Sequence, residues 1–171
     1  MRALDALYRA GGVLAAIFLA IIAALTLAQI VGRLLGILVP AAGEFAGFAM
    51  AASSFLALAH TLRTGGHIRV SLLTARLPPG ARRAVECWCL LLATAVIGFF
   101  AWFSATLVWE SYDFGDVSTG IVAIPLWIPQ LGMAFGVVLL EIAFLEELIR
   151  VLRGLPPTYE RAEEGGVAMS E

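Results

Sequence analysis

Four long apolar runs, Val13–Val31, Phe45–Leu62, Cys87–Val108 and Ile121–Leu140, constrain this chain more than anything else in it. Each has roughly the ~20 residues that a helix needs to cross hydrocarbon. The basic residues alternate around them. Arg2 and Arg9 precede the first run, Arg63, Arg69, Arg76, Arg82 and Arg83 lie between the second and third, and Arg150, Arg153 and Arg161 follow the fourth. The first connection holds only Arg33, and the third, residues 110–120, has no basic residue but carries Glu110, Asp113 and Asp116. Because positively charged loops stay on the cytoplasmic side, both termini are expected there.

Composition removes the alternatives to a membrane protein. The chain is 61% hydrophobic and 14% charged, against roughly 25% charged in soluble domains. In lipid the backbone must satisfy its own polar groups, so a span is a helix or part of a closed barrel, and runs without alternating polarity are helices. The expected class is an all-α integral membrane protein, one four-helix transmembrane domain over residues 1–154. Its spans fall at about 13–31, 45–62, 87–108 and 121–145. The first run exceeds the roughly 7–15-residue apolar segment of a signal peptide and is read as a retained span. A net charge of −2, with arginines spread along one membrane face, speaks against nucleic acid as a partner. Cys87 and Cys89 lack the spacing of a redox or zinc motif and read as reduced packing residues.

The connecting segments are patterned. In Met1–Gly12, Leu4 and Leu7 stand against Arg2, Asp5 and Arg9, with Asp5 and Arg9 four apart, as in a short interfacial helix. Residues 67–77 suit a second one: Ile68, Leu72 and Leu73 share one side, and Arg69 and Arg76 another, before Pro78-Pro79-Gly80 stops the element. An amphipathic cytoplasmic arm is expected there, with a basic loop that only fixes topology as the alternative. Trp88, Trp109 and Trp127 sit where indole rings anchor in the headgroup region, whereas Trp102 falls in mid-span, facing lipid or a neighbouring protein.

An intramembrane charge is costly and marks function by default, yet the span centres hold only small polar residues such as Thr26, Ser53, Thr94 and Ser104. Inverted repeats and Pro-broken half-helices, which mark many transporters, are not found. Arg33 and Glu44 close the first span and open the second, and a short turn between them suggests an outer ion pair. Glu146 and Arg150, four apart, suggest an inner one. Glu141 lies deeper and has three readings: snorkelling, pairing within the bundle, or meeting a partner's cation. His60 and His67 lie on one span and the segment after it, whereas bis-histidine haem ligation needs facing helices.

The stretch from Glu44 to Leu77 resembles the small permease subunit of tripartite ATP-independent periplasmic (TRAP) transporters, the DctQ-like family. Arg63, Gly65, His67, Ile68 and Val70 match its R-x-G-x-H-I-x-V core, and Leu77-Pro78 with Arg82-Arg83 match the segment after that core. Ser118-Thr119, Ile124-Pro125, Trp127 and Gly132 are similar to its fourth span. The resemblance covers about Ala6 to Arg153, with Ala57 standing where the family often has glycine. It implies no catalytic activity and no cofactor or metal in this chain, sodium coupling being expected in a large permease subunit. It also implies three partners: that large subunit, a periplasmic solute-binding protein and membrane lipid. The chain would be a multi-pass scaffold in the bacterial inner membrane, serving uptake of a carboxylate such as a C4-dicarboxylate. On this reading Arg69, Arg76, Trp102, Asp113, Asp116 and Glu141 are candidate contacts for partners, the acids at 113 and 116 otherwise being a plain solvated loop. Residues 155–171, rich in proline and acids, are expected to be a disordered tail. Other readings are a tricarboxylate system's small subunit, a stand-alone exporter, and a cofactor-carrying anchor subunit.

Overall fold

A computed structural model describes residues 2–64, 78–155 and 157–158 of the chain. Among them are four helices: α1 Arg2–Leu34, α2 Ala42–Arg63, α3 Pro79–Asp113 and α4 Trp127–Leu152. All four are long and apolar enough to span a membrane. The only strand-like pairing among the described residues is an isolated bridge between Val117 and Pro125.

Three element bounds differ from the apolar runs. Residues from Arg2 onward continue into the first span without a break, so the separate N-terminal interfacial helix expected over Met1–Gly12 is instead the opening of one 33-residue α1. Helix α3 has 35 residues. At 1.5 Å per residue these two helices are about 50 Å long, well beyond a hydrocarbon core of about 30 Å. The apolar stretch from Ile121 to Leu126 is a loop, and α4 begins only at Trp127. Pro125 explains the late start, because it biases Ile124 away from helical geometry and locks its own φ. The arm expected over 67–77, and with it Gly65, His67, Ile68, Arg69, Val70 and Arg76, lies outside the described residues.

The helices stand in the order α1, α2, α4, α3: α1 packs on α2, α2 on α4, and α4 on α3. Lipid tails supply no hydrophobic drive between helices, so close approach of small residues must hold the row together. The interfaces are built that way. Ala49, Ala52, Leu56 and Ala59 of α2 are buried, as are Val137, Leu140 and Ala143 of α4. Gly132 lies against Ala52, and Gly136 against the backbone of Phe55 and Leu56. Between α1 and α2, the Ser53 hydroxyl donates to the Ala15 carbonyl at 2.9 Å, a polar contact that joins two helices.

Two turns at the acidic end fix where α1 and α3 stop. Gly36 (φ 71°) and Gly115 (φ 65°) both take the left-handed conformation. The Ile37 amide then reaches back to the Gly32 carbonyl (2.8 Å), and the Asp116 amide to that of Ser111 (3.0 Å). These six-to-one bonds satisfy helix-end carbonyls, and glycine adopts the required φ at little cost. At the other end of the row the N-termini of α1 and α3 meet the C-termini of α2 and α4, and Arg83 of α3 donates to the Leu152 carbonyl at 2.9 Å.

Candidate functional site

At the arginine-rich end, Arg63 is the last residue of α2, and its side chain is 13% exposed. Three carboxylates approach it. Glu146 Oε2 lies 2.8 Å from Nη1, Asp5 is in direct contact with Nη2, and Glu147 Oε1 stands 3.9 Å away. Tyr8 presents its ring face to the guanidinium at 5.1 Å, while its hydroxyl donates to Glu146 Oε2 at 3.3 Å. The Glu147 side chain is fully buried, and its Oε2 accepts the Thr158 amide at 2.8 Å. Thr158 is thereby tied to α4.

This cluster changes how two acids are paired. Asp5 pairs with Arg63 across helices and not with Arg9 along its own. Glu146 likewise reaches Arg63 on another helix, where local spacing offered Arg150. A guanidinium is planar and always charged, so its fork can serve acceptors from two helices at once, which a local pair cannot do. The chemistry available here is electrostatic fastening of α1, α2 and α4. Sequence reasoning singled out Arg63 but missed Asp5, Tyr8 and Glu147 as its surroundings. The available signal was the Glu146-Glu147 doublet at the end of an apolar run: neighbours on a helix stand about 100° apart, so one of the two acids can turn toward the other helices.

At the acidic end Arg33 is exposed on the last turn of α1, and it forms no ion pair with Glu44. Glu44 instead turns toward the α3–α4 loop and fills the space beside Gly120, its Oε2 buried without a hydrogen-bond partner. The expected outer ion pair is therefore absent: an arginine this exposed gains little from pairing in water, whereas Gly120 leaves room for the carboxylate. The loop itself is braced. The Leu126 amide donates to the Asp116 carbonyl at 2.9 Å and the Ser118 amide to that of Ile124 at 2.8 Å, while the Ser118 hydroxyl donates to the Val122 carbonyl at 3.1 Å. Asp113 ends α3, and both Asp113 and Asp116 are exposed on this framework. Pro125 bridges to Val117, and Trp127 meets the edge of Tyr112 at 5.8 Å.

The other candidate residues are dispersed. Pro78 caps the start of α3 in extended geometry. Trp102 points away from the row, and Glu141 of α4 rests against Gly98 of α3. The His60 ring packs over Gly12. Among the described residues no three His, Cys, Asp or Glu side chains converge as a metal-binding group. A groove of about 360 Å³ between α1, α2 and α4 is lined by Phe18, Leu25, Phe48, Ile128 and other apolar residues, which offer a solute carboxylate nothing to bind.

Comparison with known proteins adds two findings. The family model for the DctQ component of tripartite ATP-independent periplasmic transporters matches residues 22–154. The chain is also similar to the ectoine TRAP transporter small permease protein TeaB of Halomonas elongata, with 28% identity over 128 residues. That match covers 74% of this chain and 66% of the relative, so about a third of the relative's length lies outside it.

Proposed function

This chain belongs to the DctQ component family of tripartite ATP-independent periplasmic transporters, and from that membership we propose that it is the stationary membrane scaffold of a solute-uptake complex. A separate large permease subunit would hold the solute and sodium sites, and a periplasmic binding protein would deliver the solute. The observation that carries this reading is the open row of helices. Its end member α3 leaves large aromatic residues uncovered, Phe99 and Trp102 (67% and 72% exposed). The groove between α1, α2 and α4 is lined by apolar residues. Aliphatic faces suit lipid, whereas large aromatics on an end helix suit contact with another protein, as in a subunit that a partner completes.

The arginine-rich end faces the cytoplasm of a bacterial inner membrane and the braced acidic loop faces the periplasm, as positive-inside bias requires. The solute is a small carboxylate-bearing molecule, with C4-dicarboxylates and ectoine as the first candidates to assay. The direct test is gentle extraction of the tagged protein from its native membrane, with mass spectrometry of what accompanies it. A stoichiometric, much larger polytopic protein is expected. Reconstituted uptake should then require that protein, the binding protein and a sodium gradient together. Recovery of the small protein by itself, moving solute in liposomes, would overturn the scaffold reading.

Because Asp113 and Asp116 are exposed on a rigid loop, they are positioned to meet a basic patch on the binding protein, and rim charges of this sort act mainly on association rate. The double variant Asp113→Ala/Asp116→Ala is expected to slow uptake at low binding-protein concentration, most at low ionic strength, and to leave recovery of the large subunit unchanged. Uptake equal to that of the parent at every binding-protein concentration would remove the docking role.

A further inference from the structure

At mid-span a carboxylate lacks the partner that its depth demands. Glu141 lies eleven residues before the end of α4, about 16 Å along the helix from the arginine-rich end. Its carboxylate rests on α3 where Gly98 has no side chain: a Cβ there would sit 3.2 Å from Oε1. Oε2 is buried without a hydrogen-bond partner. An ion withdrawn from water and left unpaired costs several kcal/mol. Protonation removes the charge but leaves the same oxygen without a partner, so a lone chain has no satisfactory state for this side chain.

The position of Glu141 around the row shows where its partner comes from. Phe100 of α3 faces α2, its ring 6.0 Å from that of Phe55. Gly98 and Trp102 are each two residues from Phe100, about 200° around the helix, so they project from the opposite flank. Glu141 thus lies on the side of the α3–α4 contact that α2 does not cover. Its neighbours on that flank are Leu91 and Trp102 of α3, which are 53% and 72% exposed, and Val138 and Leu145 of α4, also exposed. Helix α1 differs. Its exposed residues around mid-span are aliphatic, and the hydroxyl of its Thr26 is spent on the Ile22 carbonyl, as suits a lipid-facing surface.

The geometry points to Glu141 as the docking point of the large permease subunit: the α3–α4 flank receives a helix of that subunit, which presents a lysine or arginine side chain to the Glu141 carboxylate. The inference rests on the small-subunit reading above. Charge complementarity at this depth selects the occupant, since lipid tails offer no cation and a large aromatic such as Trp102 is a typical interface anchor.

Two measurements on the complex in its native membrane test it. A photocrosslinking residue is placed at Trp102, and in separate strains at Leu19 and Leu27. Glu141→Gln, which keeps the shape and removes the charge, is assayed for recovery of the large subunit. Expected are crosslinks to the large subunit from position 102 and none from 19 or 27, with recovery falling roughly tenfold or more in Glu141→Gln, as when one member of a buried interfacial charge pair is lost. Crosslinks from the α1 positions with 102 silent, or undiminished recovery with Glu141→Gln, would overturn the docking inference and leave the scaffold reading standing. If no large subunit accompanies the parent protein, the scaffold reading itself fails, and the docking inference with it.

Discussion

Replacing Arg63 with methionine is expected to cost the protein about 3–5 kcal/mol, the scale for breaking a buried ion pair by removing one partner. The variant keeps an unbranched apolar stem and removes the cation that lies 2.8 Å from Glu146. The contributions are unequal. Asp5 is 45% exposed, and water takes over much of its solvation. Glu146 is only 16% exposed and Glu147 almost wholly buried, so these two carry the penalty. Thermal unfolding in a mild detergent should therefore show a large drop for Arg63→Met. Much of it should return when Glu146→Gln is added, because the second change removes the stranded charge. Arg63→Lys should fall between, since an ammonium lacks the fork that serves Asp5 and Glu146 together. A methionine variant within about 1 kcal/mol of the parent, the upper range of exposed ion pairs, would show that the cluster does not fasten the three helices.

The second large effect is expected at Gly136. A Cβ on this residue would lie 2.6 Å from the Phe55 carbonyl oxygen and 2.8 Å from the Leu56 nitrogen, and these are backbone atoms that no rotamer change can move. Gly136→Val must push α2 and α4 apart along the central contact of the row. Overpacking commonly costs about 1–3 kcal/mol. Here it should reach or exceed the top of that range, because the obstacle is a helix backbone and the middle of this interface depends on close approach. The measured result should be loss of monodisperse protein on size exclusion, together with loss of the large subunit from the purified complex. Gly47→Ala is the control, because a Cβ there meets nothing within 4 Å. It should be neutral or stabilise by up to about 1 kcal/mol through helix propensity. Normal assembly of Gly136→Val would mean that α2 and α4 do not approach as closely as the structure shows.

These two residues mark the limits of what could be read from the chain. Arg63 was legible as a residue that matters, through its place in the R-x-G-x-H-I-x-V segment, but its partners were not. The visible acids, Asp5 and Glu146, each had a basic residue four positions away, so local spacing proposed Arg9 and Arg150 for them. Those i,i+4 pairs are worth only about 0.2–0.5 kcal/mol on a helix surface, and a shared buried guanidinium outweighs them. Gly136 carried no sequence signal beyond standing four residues after Gly132. The same holds for Glu44, where nearness in sequence suggested Arg33 and the fold supplied Gly120 from the α3–α4 loop.

By itself the sequence determined four helices across a bilayer, a basic end opposite an acidic end, and family membership through a motif. These follow from properties counted residue by residue: hydrocarbon admits only apolar stretches whose backbone bonds close within the helix, and loop arginines resist translocation. Only the tertiary structure decided the order α1, α2, α4, α3, the convergence on Arg63, the bracing of the acidic loop and the flank on which Glu141 lies. Apolar helices in lipid are nearly interchangeable by hydropathy. Their neighbours are selected by where a missing side chain lets two backbones approach and where a stranded charge finds its counterpart, and both depend on residues far apart in the chain.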